Sequence, residues 1–139
     1  MESNVMVRDV MTKKVHAVRE DTNLSEVIAT LSKFDINSLI VVQGKKPVGM
    51  ITPKDVLIRA FEHGMPIASM TAGMVASTPT KSIDESASIE QAAHLMKREK
   101  IKRIPVTSNG QLVGIISDID IVFEVPKMLK MIEEVCREK

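Results

Sequence analysis

Two short stretches place a hydroxyl and a carboxylate three residues apart. Thr52 and Asp55 do so in Gly49-Met50-Ile51-Thr52-Pro53-Lys54-Asp55, and Ser117 and Asp120 in Gly114-Ile115-Ile116-Ser117-Asp118-Ile119-Asp120. In each, a glycine leads two apolar residues, which read as the end of a short buried strand, and the hydroxyl residue then opens a helix. Pro53 occupies the first helical position, where the missing N–H does no harm. Two chemistries fit this spacing. One is a capping box, in which the hydroxyl accepts from the third helical N–H and the carboxylate reaches back to the cap. The other is a ligand site, in which free N–H groups at the helix start suit a phosphate and the acid accepts two sugar hydroxyls. Spacing alone leaves both open.

The two stretches belong to a longer repeat with a step of 65 residues. Leu24 meets Ile89, Leu31 meets Met96, Ile36 meets Ile101, Leu39 meets Ile104, Val41 meets Val106 and Val48 meets Val113. Two copies are too few for a solenoid, so a pseudo-symmetric pair is expected.

The elements that would position these residues follow in order. Residues 1–12 read as a helical lead-in closing near Thr12, and Val15–Val18 as a short strand. Asp21-Thr22-Asn23 starts a helix over about 24–34, with Leu24, Val27, Ile28 and Leu31 at helical spacing. Ser38–Gln43 and Val48–Ile51 form a hairpin across Gly44-Lys45-Lys46-Pro47. The helix after Thr52 runs to about Glu62, and Gly64 suits its end. Residues 63–79 read as a linker, in which Ala68-Ser69-Met70-Thr71 echoes Asp9-Val10-Met11-Thr12 at a step of 59. The second copy then gives a strand at Thr80–Ile83, a helix capped by Ser88, a strand at Lys102–Thr107, a turn at Ser108-Asn109-Gly110, a strand at Leu112–Ile116 and a helix stopping before Pro126. Lys127–Lys139 carries Met128, Met131, Ile132 and Val135 at helical spacing, an amphipathic tail that would pack on the module or on a second chain.

Composition excludes several classes. The chain has 139 residues, 44% of them apolar, enough for one domain or two small intimate ones. Lys+Arg 19 against Asp+Glu 18 gives +1, which argues against an electrostatic nucleic-acid binder. Three phenylalanines, with no Trp or Tyr, leave little for base stacking. Ten methionines mostly fall in apolar register as flexible core filler. The single Cys136 forms no internal disulfide. No run approaches a membrane span, and no signal peptide is evident, so a cytoplasmic location is expected.

In order, spacing and duplication, the chain resembles a tandem pair of CBS (cystathionine β-synthase) domains, a Bateman module. The resemblance rests on Asp9–Thr12, Ser38–Val42 and Gly49–Asp55, then on Ser69–Thr71, Ile101–Val106 and Gly114–Asp120. It implies an α+β fold of two pseudo-symmetric repeats, each a small three-stranded sheet with two helices, packed sheet to sheet. Repeat 1 would span 8–65, repeat 2 66–125, and a helical tail 126–139. It also implies a regulatory module binding adenosine-containing ligands between the repeats: AMP, ADP, ATP or S-adenosylmethionine. By the same resemblance Asp55 and Asp120 become ribose ligands, and Thr52 and Ser117 phosphate ligands. The base pocket falls near His16 and Ala17 and near Thr80 and Lys81. Lys102 and Arg103 match a basic position before the second strand, where a guanidinium suits phosphate. The first copy has Asn37 and Ser38 there, so the two sites are not equivalent, and only one is expected to bind a polyanionic nucleotide tightly.

No catalytic constellation is present. His16, His63 and His94 are isolated, without metal-ligand spacing, and there is no phosphate loop or nucleophile elbow. The expectation is therefore a non-enzymatic module that requires no cofactor and no metal. Its effector is an adenosyl nucleotide, its assembly a homodimer, and its output goes to an effector protein. A ligand-free dimerisation module is the alternative, with a nucleic-acid-binding CBS protein behind it.

Overall fold

A computed structural model describes residues 4–137. The elements run α1 (Val7–Val10), β1 (Ala17–Arg19), α2 (Leu24–Lys33), β2 (Leu39–Gln43), β3 (Lys46–Ile51), α3 (Pro53–His63), a single 3-10 turn (Ile67–Ser69), α4 (Ala72–Val75), β4 (Ile83–Asp84), α5 (Ile89–Glu99), β5 (Arg103–Ser108), β6 (Gln111–Ser117), α6 (Asp118–Val122) and α7 (Val125–Arg137). The fold is α+β, with two three-stranded sheets of order β1-β2-β3 and β4-β5-β6. β1 runs parallel to β2 with Ala17 beside Ile40, and β2 is antiparallel to β3. β4 runs parallel to β5 with Ile83 beside Val106.

Local chemistry explains the boundaries. Asn23 caps α2, its Oδ1 accepting from the Ser25 N–H at 2.8 Å. Ser88 and Gln91 cap α5 reciprocally, the Ser88 Oγ accepting from the Gln91 N–H at 3.1 Å and the Gln91 Oε1 from the Ser88 N–H at 2.9 Å. α3 ends at Gly64 with φ 63°, a left-handed cap that glycine adopts without penalty. Asn109 and Gly110 join β5 to β6 with φ of 52° and 78°, as a tight hairpin turn requires. α6 stops at Val122 because the Pro126 ring would meet the carbonyl four residues earlier; α7 then restarts the chain as a helix.

The chain divides into two compact units. One comprises Lys14–Lys81 with Gly110–Leu112. Its core joins Leu24 and Val27 of α2, Leu39 and Val41 of β2 and Ile51 of β3 to Met70, Ala72, Val75 and Ala76. The other takes the segment up to Lys13, Ser82–Asn109 and the chain from Val113 on. There Val7 of α1 is buried with Ala92 and Met96 of α5, Ile104 and Val106 of β5 and Ile116 of β6. The lead-in helix α1 is thus built into the core of the second repeat, and α4 into that of the first.

Four sequence expectations are corrected. The step of 65 extends further than the apolar matches: α1 begins at Val7 and α4 at Ala72, and Thr12 and Ser77 make the same isolated β-bridge, to Ile115 and Met50. The counterpart of Asp9–Thr12 is therefore Met74–Ser77, not Ala68–Thr71. The shared Met-Thr pair misleads because Thr71 caps α4 rather than following it. The expected linker 63–79 accordingly holds a helix whose Ala72 and Val75 are fully buried. Thr80–Ser82 lies outside any strand, β4 being only Ile83–Asp84. Likewise β1 begins at Ala17, not Val15.

Both bridges run against a glycine. The Met50 and Ser77 backbones exchange hydrogen bonds at 3.1 and 2.8 Å, and those of Ile115 and Thr12 at 3.0 and 2.9 Å. A Cβ on Gly49 would lie 2.8 Å from the Thr78 methyl and 3.2 Å from the Ser77 carbonyl oxygen. One on Gly114 would lie 2.7 Å from the Met11 sulfur and 2.9 Å from the Thr12 carbonyl oxygen. Only glycine lets the bridging segment come this close. Gly49→Ala and Gly114→Ala should each lose about 1–3 kcal/mol in urea unfolding, Gly114→Ala the more because backbone must move. Unchanged midpoints would contradict this packing.

Candidate functional site

The start of α3 is a closed capping box. The Asp55 Oδ2 accepts from the Thr52 N–H at 2.9 Å and the Thr52 hydroxyl at 3.0 Å, and the Asp55 N–H donates to the Thr52 Oγ1 at 3.2 Å. The start of α6 repeats it: the Asp120 Oδ2 accepts from the Ser117 N–H at 2.8 Å, and the Asp120 N–H donates to the Ser117 Oγ at 3.3 Å. All four residues are half-buried. The capping chemistry read from the spacing is therefore present in both repeats, and each carboxylate keeps its second oxygen for another partner.

The second oxygens differ. The Asp55 Oδ1 accepts from the Ser77 hydroxyl at 3.2 Å. Arg59, one turn along α3, donates to the Ala76 carbonyl at 2.6 Å and to the Ser77 Oγ at 3.3 Å. A step of 65 leads from Arg59 to Glu124 and from Ser77 to Thr12. Glu124 accepts from Lys127 at 3.3 Å, and among the described residues no hydrogen bond reaches the Asp120 Oδ1. Neither Ser77 nor Arg59 stands out in the sequence: the Ala68–Thr71 echo puts the stretch holding Ser77 out of register, and Arg59 is one charge on an amphipathic helix. Carrying the 65-residue step through Thr12 would have found Ser77.

The other predicted residues fall as follows. In the unit of Thr52 and Asp55, the Thr80 N–H donates to the Val48 carbonyl at 3.4 Å, so Thr80 and Lys81 follow the extended segment that runs past β3. His16 and Ala17 enter β1; the His16 carbonyl accepts from the Ile40 N–H at 3.2 Å, and its ring stacks on Phe34 at 4.2 Å between centroids. No hydrogen bond joins His16 or Ala17 to Thr52 or Asp55. In the unit of Ser117 and Asp120, the Lys102 carbonyl accepts from the Asp118 N–H at 2.9 Å, which sets Lys102 and Arg103 beside the start of α6. An open cleft of about 620 Å³ lies along α3 and α4, lined by Lys54, Asp55, Ile58, Arg59, Glu62, His63 and Met74. Outside these features, the Asp84 carboxyl is held below its ordinary range: the Ser86 hydroxyl and N–H hydrogen-bond it, Arg8 adds attraction, and desolvation opposes them.

Among the described residues no cluster of His, Cys, Asp and Glu could hold a metal ion, and no helix is long and apolar enough to cross a membrane. Removing one cap hydroxyl leaves a helix N–H unpaired. Thr52→Ala and Ser117→Ala should each lower unfolding stability by about 0.5–2 kcal/mol. A loss below a few tenths would mean that the boxes do not hold the helix starts.

Comparison with known proteins accords with this geometry. Hypoxic response protein 1 of Mycobacterium tuberculosis is 29% identical over 132 residues, covering 93% of this chain and 92% of its own. A crystal structure of hypoxic response protein I, with two coordinated zinc ions, has a TM-score of 0.77 at 29% identity, over 85% of this chain and 97% of that one. The crystal structure of CBSX2 in complex with AMP has a TM-score of 0.76 at 24% identity, over 89% and 98%. The CBS-domain family profile matches residues 7–62 and again 72–127. With both repeats matched and each sheet ending in the same hydroxyl–carboxylate helix start, the chain belongs to the CBS-domain family, as a tandem pair of CBS domains.

Proposed function

We propose that this tandem pair is a regulatory sensor of adenosine-containing nucleotides. The observation that carries the reading is the duplicated helix start, where a carboxylate held by its cap keeps one oxygen directed away from the cap. Such an oxygen suits the vicinal hydroxyls of a ribose, as acids do in other nucleotide folds. In this reading Asp55 and Asp120 take ribose hydroxyls, and Thr52 and Ser117 lie toward phosphate. Lys102 and Arg103 supply positive charge beside Ser117, while His16, Ala17, Thr80 and Lys81 contribute to base contacts. AMP in CBSX2 supports the ligand class. The chain acts without catalysis and without a required cofactor, and the ligand shifts a conformational equilibrium by its differential affinity for the two states.

Output passes to an effector protein, and the working form is a homodimer. Leu57 and Phe61 support this: one turn apart on α3, they are 74% and 86% exposed, apolar surface that a second copy would cover. Sedimentation at micromolar concentration should give a dimer, and a monomer would remove that element.

A ligand-independent assembly module is the second reading, favoured by the capping boxes already being closed within the chain. Thermal unfolding separates the two. AMP, ADP, ATP and S-adenosylmethionine are each added, with GTP as control. A ligand at about 100 times its dissociation constant adds about 2.7 kcal/mol, which moves the midpoint by several degrees for a chain of this size. The sensor reading expects that shift with an adenosyl ligand and its reduction in Asp55→Asn or Asp120→Asn. No shift with any of them, and no adenine absorbance released on denaturation, supports the assembly reading.

A further inference from the structure

Asp55 and Asp120 occupy the same position in their repeats, yet only Asp55 has its second oxygen taken from within the chain. Ser77 supplies the bond at 3.2 Å, and its proton has little freedom to go elsewhere. A guanidinium can only donate, so the 3.3 Å contact from Arg59 uses the hydroxyl as an acceptor and leaves its single proton for the carboxylate. Arg59 is itself fixed by the Ala76 carbonyl at 2.6 Å. The bridge between Ser77 and Met50, pressed against Gly49, fixes the Ser77 backbone. The second repeat serves as an internal control. There Thr12 makes the equivalent bridge, but its hydroxyl bonds to nothing among the described residues, and Glu124 stands where Arg59 would. The relay is therefore an addition to the shared framework, and the helix start forms without it.

We propose that Ser77, oriented by Arg59, is an internal competitor for the Asp55 carboxylate: Thr52 already donates twice to Oδ2, and the Ser77 hydroxyl takes one of the two lone pairs of Oδ1 that a ligand's vicinal diol would use together. This rests on the reading that Asp55 takes ribose hydroxyls, and adds what sets its selectivity. A diol must supply what Ser77 already gives, so the first repeat binds ribose more weakly than its Thr-Pro-x-Asp pattern suggests. Ser77 and Arg59 are positioning residues here; neither needs to touch the nucleotide.

The test is calorimetric titration of the full-length chain with AMP and with 2′-deoxy-AMP, which lacks the diol. Ser77→Ala should tighten AMP binding at the Asp55-dependent site by about five- to tenfold, the worth of one freed acceptor. It should leave 2′-deoxy-AMP unchanged, and the gain should vanish in an Asp55→Asn background. Arg59→Gln should give part of the same gain. A purely structural role for Ser77 would lower the unfolding midpoint without changing the ratio of AMP to 2′-deoxy-AMP affinity. If Asp55→Asn weakens AMP binding but Ser77→Ala leaves it equal or weaker, the competitor is refuted and the sensor reading stands. If neither the wild type nor any variant binds AMP, the competitor at Asp55 is refuted, while the sensor reading falls only if ADP, ATP and S-adenosylmethionine fail to bind as well.

Discussion

The structure depends on the close approach of a bridging segment to a glycine on the last strand of each sheet. Thr12 packs against Gly114 and its neighbour Ile115, and Ser77 against Gly49 and its neighbour Met50. Each contact ties a short helix, α1 or α4, to the sheet whose core it shares. It also fixes the end of β6 or β3, and so where the following helix begins. Hydrogen bonding then closes the capping box, because helical N–H groups at that point have no other partner in the chain. Position comes from the glycine and polar satisfaction from the box.

Much of this was legible in the sequence because it is local. The β-rich runs of β2 and β3, the Asn23 and Ser88 caps, the Gly64 stop and the Asn109-Gly110 turn all act within a few residues. Their element boundaries accordingly came within one or two positions. The misreadings concern contacts distant in the chain. Thr80–Ser82 has the composition of a strand but gains no ladder, so pairing overrode propensity. α4 was hidden because Ala72-Gly73-Met74-Val75 is too short for a helical period and its burial is set by strands twenty to forty residues away. The repeat step points to Ser77 as the counterpart of Thr12 but not to its bond with Asp55, and Arg59 acquires meaning only when folding brings it to Ser77.

The two repeats show how one framework supports different chemistry. Their elements start in step, α2 with α5, β3 with β6 and α3 with α6. Four residues past the carboxylate the first has Arg59, within α3, and the second Glu124, in the turn between α6 and α7, of opposite charge. In the first that charge is directed at the Ala76 carbonyl and Ser77; in the second it meets Lys127. The same helix start thus has one carboxylate's second oxygen engaged by Ser77 and, among the described residues, no hydrogen bond at the other's. A capping box costs the chain nothing to keep in either case, since the helix start needs it whether or not a ligand arrives. Because the box forms in either case, spacing alone does not separate cap from site.

The most direct test of the sensor account is an amide NMR titration of the uniformly labelled chain with AMP, ADP, ATP and S-adenosylmethionine in turn. The account predicts that the largest shift changes with a binding ligand fall on N–H groups at a helix start, those of Ser117–Asp120 ahead of those of Thr52, Lys54 and Asp55. Saturable changes confined to other parts of the chain, or none at all with ligand in excess, would contradict it and leave these motifs as caps alone.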